Sequence, residues 1–288
     1  MSQPGQLSRP RLGSGWITRP LFGFFLAATA IALLFYSPVW FASVTVLMTL
    51  FAAHEWHRMV RPPELRAAAD RAALHVQTAI TGLAIALAMV ALLLRVVPVA
   101  FALLAVGAVA AFIVARQRGD NPVWHAAGVL YLGLPALALA GLRAFPAQGA
   151  QIVLGMFLII WATDTGALCF GKTIGGTRIA PRLSPGKTWA GTVGGSVTAA
   201  LVFGLYIGFF GRPMLPAMAF ALVFSIIAHG GDLFESWVKR RFDTKDSGSI
   251  IPGHGGVLDR MDSTFAASVV MALLVFVAHF NPMFGGHG

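Results

Sequence analysis

Charge is what this sequence has least of. Only 11% of its 288 residues are Asp, Glu, Lys or Arg, while 57% are hydrophobic and the mean hydropathy is +0.76. Soluble domains carry roughly 25% charged residues, so composition alone excludes an ordinary soluble fold. Cysteine is nearly absent. The single Cys169 rules out an intramolecular disulfide framework, and it has no Cys or His neighbours to build a zinc site. It is expected to be a small buried hydrophobe. Acidic residues are also few, 11 against 21 basic ones, leaving a net charge of +10. On a soluble protein that excess would point to nucleic acid. No nucleic-acid-binding motif accompanies it, so no such partner is expected. The excess instead suits anionic headgroups beside a membrane. No small-residue cleavage site follows the first apolar run, which therefore reads as a retained span.

What is present is a series of long apolar runs. A span needs about 20 apolar residues. Nine candidates occur, at 21–36, 38–54, 76–94, 97–115, 124–142, 151–170, 190–210, 214–231 and 264–281. The first two are short, parted by Ser37-Pro38, and could form a tight helical hairpin. The expected fold is all-α and polytopic, with about nine transmembrane helices. A basic tail covers 1–20, N-terminal helices 21–142, and a C-terminal catalytic region 143–288 with polar segments 171–189 and 232–263. With the N-terminus inside and the spans alternating, 18 of the 21 basic residues fall on the inside, and only Arg95, Arg143 and Arg212 lie outside. That bias predicts a cytoplasmic N-terminus and an outer C-terminus. No acidic residue falls in an outer loop. Glu64, Asp70 and Asp120 read as solvated loop charges, and Trp56 as an interface anchor. Asp164 is different. An ionisable group inside a span is expensive and implies function.

Two polar segments carry the candidate chemistry. In the first, Gly186-Lys187-Thr188 resembles the end of a P-loop. That motif needs a glycine five residues before its last glycine, where this chain has Pro181, and no strand precedes it. A P-loop is therefore excluded. What remains is a basic loop leading into a helix, where Ser184, Lys187, Thr188 and backbone N–H groups could hold phosphate. In the second segment, a helix running on past Gly231 places Asp232, Glu235, Ser236, Lys239 and Arg240 at i, i+3, i+4, i+7 and i+8, on one face. Asp259 and Asp262 then stand three apart at the next helix start, where an acid also suits the helix dipole. Asp232 and Asp259, among lysines and arginines, suit a hard divalent ion; magnesium takes one or two carboxylates plus substrate phosphates. Basic groups would neutralise the remaining phosphate charge. His254 lies among Gly253, Gly255 and Gly256, which allow close substrate approach. These features fit a membrane enzyme, or a transporter with Asp164 as its ion site. Transporters bind near the midplane, whereas most charges here lie outside the apolar runs.

The stretch from Ser236 through Val238-Lys239-Arg240, Lys245-Asp246, Ile251-Pro252, His254-Gly255-Gly256-Val257 and Asp259-Arg260-Met261-Asp262 resembles the signature of the phosphatidate cytidylyltransferase family. Asp164-Thr165-Gly166-Ala167 and Ser184-Pro185, Lys187-Thr188-Trp189 resemble its upstream motifs. Gly186 and Ala190 depart from residues common in that family. The resemblance implies CTP + phosphatidate → CDP-diacylglycerol + pyrophosphate. It implies magnesium, as one or two ions with a monovalent ion a further candidate, and a homodimer in the cell inner membrane whose active site faces the cytoplasm. It further implies that Asp232 and Asp259 hold the metal, with Asp164, Lys239 and Arg260 also catalytic. Ser184, Lys187, Thr188, Ser236, Arg240, Lys245, Asp246, His254 and Asp262 would bind substrate. A polyprenol kinase is a rival that also uses CTP. A CDP-alcohol phosphotransferase is disfavoured because its Asp-Gly-x2-Ala-Arg pattern is missing.

Overall fold

The computed structural model describes residues 27–67, 71–248 and 255–281. Within them lie helices α1 (Ala27–Tyr36), α2 (Pro38–Met59), α3 (Pro63–Ala67), α4 (Arg71–Leu93), α5 (Val97–Gln117), α6 (Pro122–Ala144) and α7 (Gly149–Thr173). A hairpin of β1 (Arg178–Ala180) and β2 (Ser184–Thr188) follows, then α8 (Trp189–Phe209), α9 (Met214–Arg241) and α10 (Leu258–Ala272), which runs into a π-helical turn at Leu273–Val277. Among the described residues eight helices are long and apolar enough to cross a membrane, and α1 is a shorter apolar helix. The protein is an all-α polytopic membrane protein.

Local chemistry sets the helix starts. Only Ser37, in extended conformation, separates α1 from α2, and its hydroxyl accepts from the Val39 N–H at 3.2 Å. That is an N-cap followed by proline at the first helical position. Prolines also open α5 and α6. Large apolar side chains such as Leu87, Val106, Leu205 and Val223 point outward, as lipid-facing residues do.

Two apolar clusters form the interior. One joins α2, α4, α5 and α6, and also takes in Val238, Leu258 and Phe265. The other joins α7, α8 and α9 with Ala267 and Met271 of α10. Helix α10 thus belongs to both, its N-terminal part (Leu258, Phe265) packing in the first cluster and its C-terminal part (Ala267, Met271) in the second.

Three expectations change. Trp56 is buried, at 1% exposure, and its Nε1 donates to the Trp124 carbonyl at 2.9 Å; it is a packing residue and not an interface anchor. Asp120 is a buried hub, not a solvated charge. It pairs with Arg61 Nε at 3.1 Å and His125 Nε2 at 3.0 Å. His125 Nδ1 in turn meets His57 Nδ1 at 2.8 Å, and His57 Nε2 meets Thr81 Oγ1 at 2.7 Å. Burial pushes the Asp120 carboxyl up, but the hydrogen bonds from His125 and Asn121 N–H and the Arg61 charge outweigh it and hold it below the usual carboxylate range. Cys169 is exposed on α7, not buried.

Candidate active site

Close helix packing brings Asp164 to the hairpin. Helices α7 and α8 meet through small residues, which let backbones approach in a membrane. A Cβ on Gly195 would lie 2.5 Å from the Thr163 carbonyl oxygen, and one on Gly166 would lie 2.9 Å from Gly195 Cα. Thr188 ends β2 and caps α8, its hydroxyl accepting from the Gly191 N–H at 3.1 Å. The basic segment is therefore a hairpin that feeds directly into a capped helix. Lys187, one residue earlier, reaches across to α9 and pairs with Asp232 Oδ2 at 2.5 Å. Asp164, Lys187, Thr188, His229 and Asp232 line one polar cavity of about 220 Å³.

Helix α9 runs unbroken to Arg241, so the expected one-sided stripe exists. Its 28 residues rise about 42 Å at 1.5 Å each, more than the ~30 Å hydrocarbon core. Its polar end therefore has length to spare at one membrane boundary. Ser236 Oγ donates to Asp232 Oδ1 at 3.5 Å. Lys239 Nζ lies 3.1 Å from Glu235 Oε1 and 2.7 Å from Asp259 Oδ1. Asp259 Oδ2 accepts from the Ser247 N–H at 3.2 Å and the Gly256 N–H at 3.0 Å. The second acidic group is thus clasped by one lysine and two backbone donors. Gly231 lets α10 close on α9, since a Cβ there would sit 2.7 Å from the Asp262 carbonyl oxygen. Asp262 is buried and accepts from the Ser263 N–H at 2.6 Å.

The remaining predicted residues fall at varying distances from this centre. Arg260 is exposed at the start of α10 and within electrostatic range of Asp164. Ser184 is half-buried at the start of β2 and does not line the polar cavity. Arg240 is exposed and donates to the Leu183 and Thr244 carbonyls, each at 3.4 Å, tying α9 to the hairpin. Lys245 and Asp246 are exposed just beyond α9. His254 lies outside the described residues.

Three residues escaped the sequence reading of the site. Glu235, on the same stripe, is fully buried against Lys239. His229 stands three residues before Asp232, and that spacing was the available signal. Its Nε2 is buried without a hydrogen-bond partner among the described residues, at the junction of the polar cavity and an apolar groove of about 650 Å³ that also contains Lys187. Glu55, from the far end of the sequence, binds the Asp259 segment; no local pattern could have shown it.

No group of three His, Cys, Asp or Glu side chains with metal-binding geometry occurs among the described residues. The donor chemistry nevertheless fits magnesium, which needs only one or two carboxylates and completes its shell with water and phosphate. Asp232 and Asp259 each carry a lysine counter-ion, Lys187 and Lys239 respectively. A bound cation would release those ammonium groups for phosphate.

The sequence profile of the cytidylyltransferase family matches residues 17–278. A Brucella suis protein named phosphatidate cytidylyltransferase is 42% identical over 170 residues, 57% of this chain and 61% of that protein. Rickettsia bellii and Rickettsia typhi proteins of the same name are each 38% identical, over 152 and 151 residues, 50% of this chain in both cases and 65% and 66% of theirs. The matched stretch is thus less than two thirds of each relative's own length. The profile, by contrast, takes in nearly the whole sequence, and the chain belongs to the cytidylyltransferase family.

Proposed function

We propose that this chain is a phosphatidate cytidylyltransferase, converting CTP and phosphatidate to CDP-diacylglycerol and pyrophosphate. The observation that carries the reading is one polar cavity in which Asp164, Lys187, Thr188 and Asp232 converge, with Asp232 on the same helix α9 that pairs Lys239 with Asp259. It abuts an apolar groove that shares Lys187 and His229. A lipid phosphate with its chains in the bilayer and a triphosphate from water would meet at such a junction.

A phosphatidate phosphate oxygen forms a bond to the α-phosphorus of CTP as the bond to the bridging β-phosphate oxygen breaks. Phosphoryl-type transfer needs positioning and charge neutralisation more than covalent help from the protein. Lys187, Lys239, Arg240, Lys245 and Arg260 neutralise the phosphates, and Ser184, Thr188 and Ser236 donate hydrogen bonds. His254 orients a phosphate, and Asp246 and Asp262 shape the substrate surface. Asp232 and Asp259, with Asp164 lining the same cavity as Asp232, would hold magnesium, which would supply Lewis-acid neutralisation of the phosphate oxygens when bound. The charge bias of the loops supports a cytoplasmic active site, N-terminus inside. The family resemblance supports the inner membrane and a homodimer.

The test is purified protein with magnesium, labelled CTP and phosphatidate. Labelled CDP-diacylglycerol and pyrophosphate are expected in equal amounts. A phosphorylated polyprenol from CTP, or ion transport without liponucleotide, would overturn the proposal.

A further inference from the structure

Glu55 lies in α2, some 200 residues before the segment it binds, and it is only 2% exposed. A buried carboxylate needs donors on both oxygens, and among the described residues they come from Ser247 and the start of α10. Oε1 accepts from the Val257 N–H at 3.1 Å, and Oε2 accepts from the Leu258 N–H at 2.9 Å and the Ser247 hydroxyl at 3.2 Å. The first N–H groups of a helix have no partner within it, and α10 has no side-chain cap of its own. Glu55 serves that purpose from another helix, with its negative charge at the positive end of the helix dipole.

Ser247 shows what the arrangement does. Its hydroxyl goes to Glu55 while its N–H goes to Asp259. Gly256 gives its N–H to Asp259 and packs on Glu55, where a Cβ would lie 2.6 Å from Oε2. Gly248 lies against the Glu55 carboxylate in the same way. The chain before and after residues 249–254 is therefore held between two carboxylates, one from α2 and one at the start of α10. We propose that Glu55 is a positioning residue that sets Asp259, and with it Lys239, relative to Asp232 and the polar cavity. This rests on the function proposed above only for its catalytic consequence; the holding of the segment does not depend on it.

The experiment compares wild-type protein, Glu55→Gln, Glu55→Asp and Ser247→Ala in detergent. Amide exchange over residues 255–262 is measured alongside thermal unfolding and the kinetics of CDP-diacylglycerol synthesis. Glu55→Gln keeps the shape but points an amide donor at N–H groups. Faster exchange confined to 255–262 is expected, with kcat/KM falling about 10- to 100-fold, the range for groups that orient a site ligand from behind. Glu55→Asp should recover part of that loss. Ser247→Ala removes one bond without burying an unpaired charge, and should give a several-fold loss even where Glu55→Gln fails to fold. Exchange and kinetics unchanged in Glu55→Gln and Ser247→Ala would overturn the proposal, as would faster exchange with unchanged kinetics. Faster exchange in a protein that makes no CDP-diacylglycerol even as wild type would leave the holding role intact and overturn the function instead.

Discussion

Replacing Gly195 with alanine tests whether the α7–α8 approach builds the site. The added Cβ would sit 2.5 Å from the Thr163 carbonyl oxygen and 3.2 Å from Ala167 Cβ, where ordinary contact begins near 3.4 Å. The Thr163 carbonyl is backbone within α7 and cannot rotate away. The helices must therefore part by about 1 Å, and overpacking of this kind costs roughly 1–3 kcal/mol. The helix propensity of alanine returns about 1 kcal/mol of that. A net loss of up to about 2 kcal/mol is expected. The functional effect should be larger, because Asp164 follows Thr163 directly and moves with it, away from Lys187 and Asp232. A displacement near 1 Å can cost about 100-fold in rate. The assay pairs thermal unfolding in detergent with the kcat of CDP-diacylglycerol synthesis. Gly230→Ala is the stability control: nothing lies within 4 Å of its Cβ position, so it should stabilise the helix by about 0.5–1 kcal/mol. If Gly195→Ala unfolds at the same temperature as wild type and keeps its kcat, the close approach does not position Asp164.

Lys239→Met should leave the buried Glu235 and the clasped Asp259 without their shared cation. Breaking such a pair costs about 3–5 kcal/mol, visible as a lowered unfolding temperature that adding Glu235→Gln partly restores. Asp259→Asn should abolish turnover, because its amide would face a lysine or an N–H group, while the protein still elutes as a folded particle; near-normal rates would remove Asp259 from the site. Asp232→Asn should abolish the magnesium-dependent rate, and titration of the metal against activity checks it. Asp120→Asn should cost about 2 kcal/mol at neutral pH, from hydrogen bonds to a charged group. The native carboxyl is held below its usual range, so its contribution is present above the unfolded value and lost as pH falls through the folded one. Unfolding curves of wild type and variant should accordingly converge in acid.

Much of this protein was legible in the linear sequence because the determining physics is local. Apolar run length follows from bilayer thickness, and among the described residues eight long helices appear where nine spans were expected; of the first run, 21–36, only Ala27–Tyr36 lies within the described residues. The stripe from Asp232 to Lys239 follows from helical period alone, and α9 carries it as expected. The start of α10 at Leu258 places Asp259 in its first turn. Lys187, Asp232 and Asp259 could be chosen as residues, though not paired, from their types and neighbours.

Tertiary structure decided who meets whom. Lys187 joins Asp232 across two elements, and Asp120, read as a loop charge, gathers Arg61 and His125. Glu55 reaches Val257 and Leu258 over about 200 residues. None of these follows from periodicity, which specifies the face a residue occupies but not the surface that face will meet. Pairing depends on how closely helices approach, and that is set by small residues such as Gly195 and Gly231 together with the partners they admit. The sequence by itself thus determined a polytopic helical protein with a polar segment in which acidic and basic residues share one helix face. Packing alone determined that the segment would be closed by Asp164 and Lys187 on one side and held by Glu55 on the other.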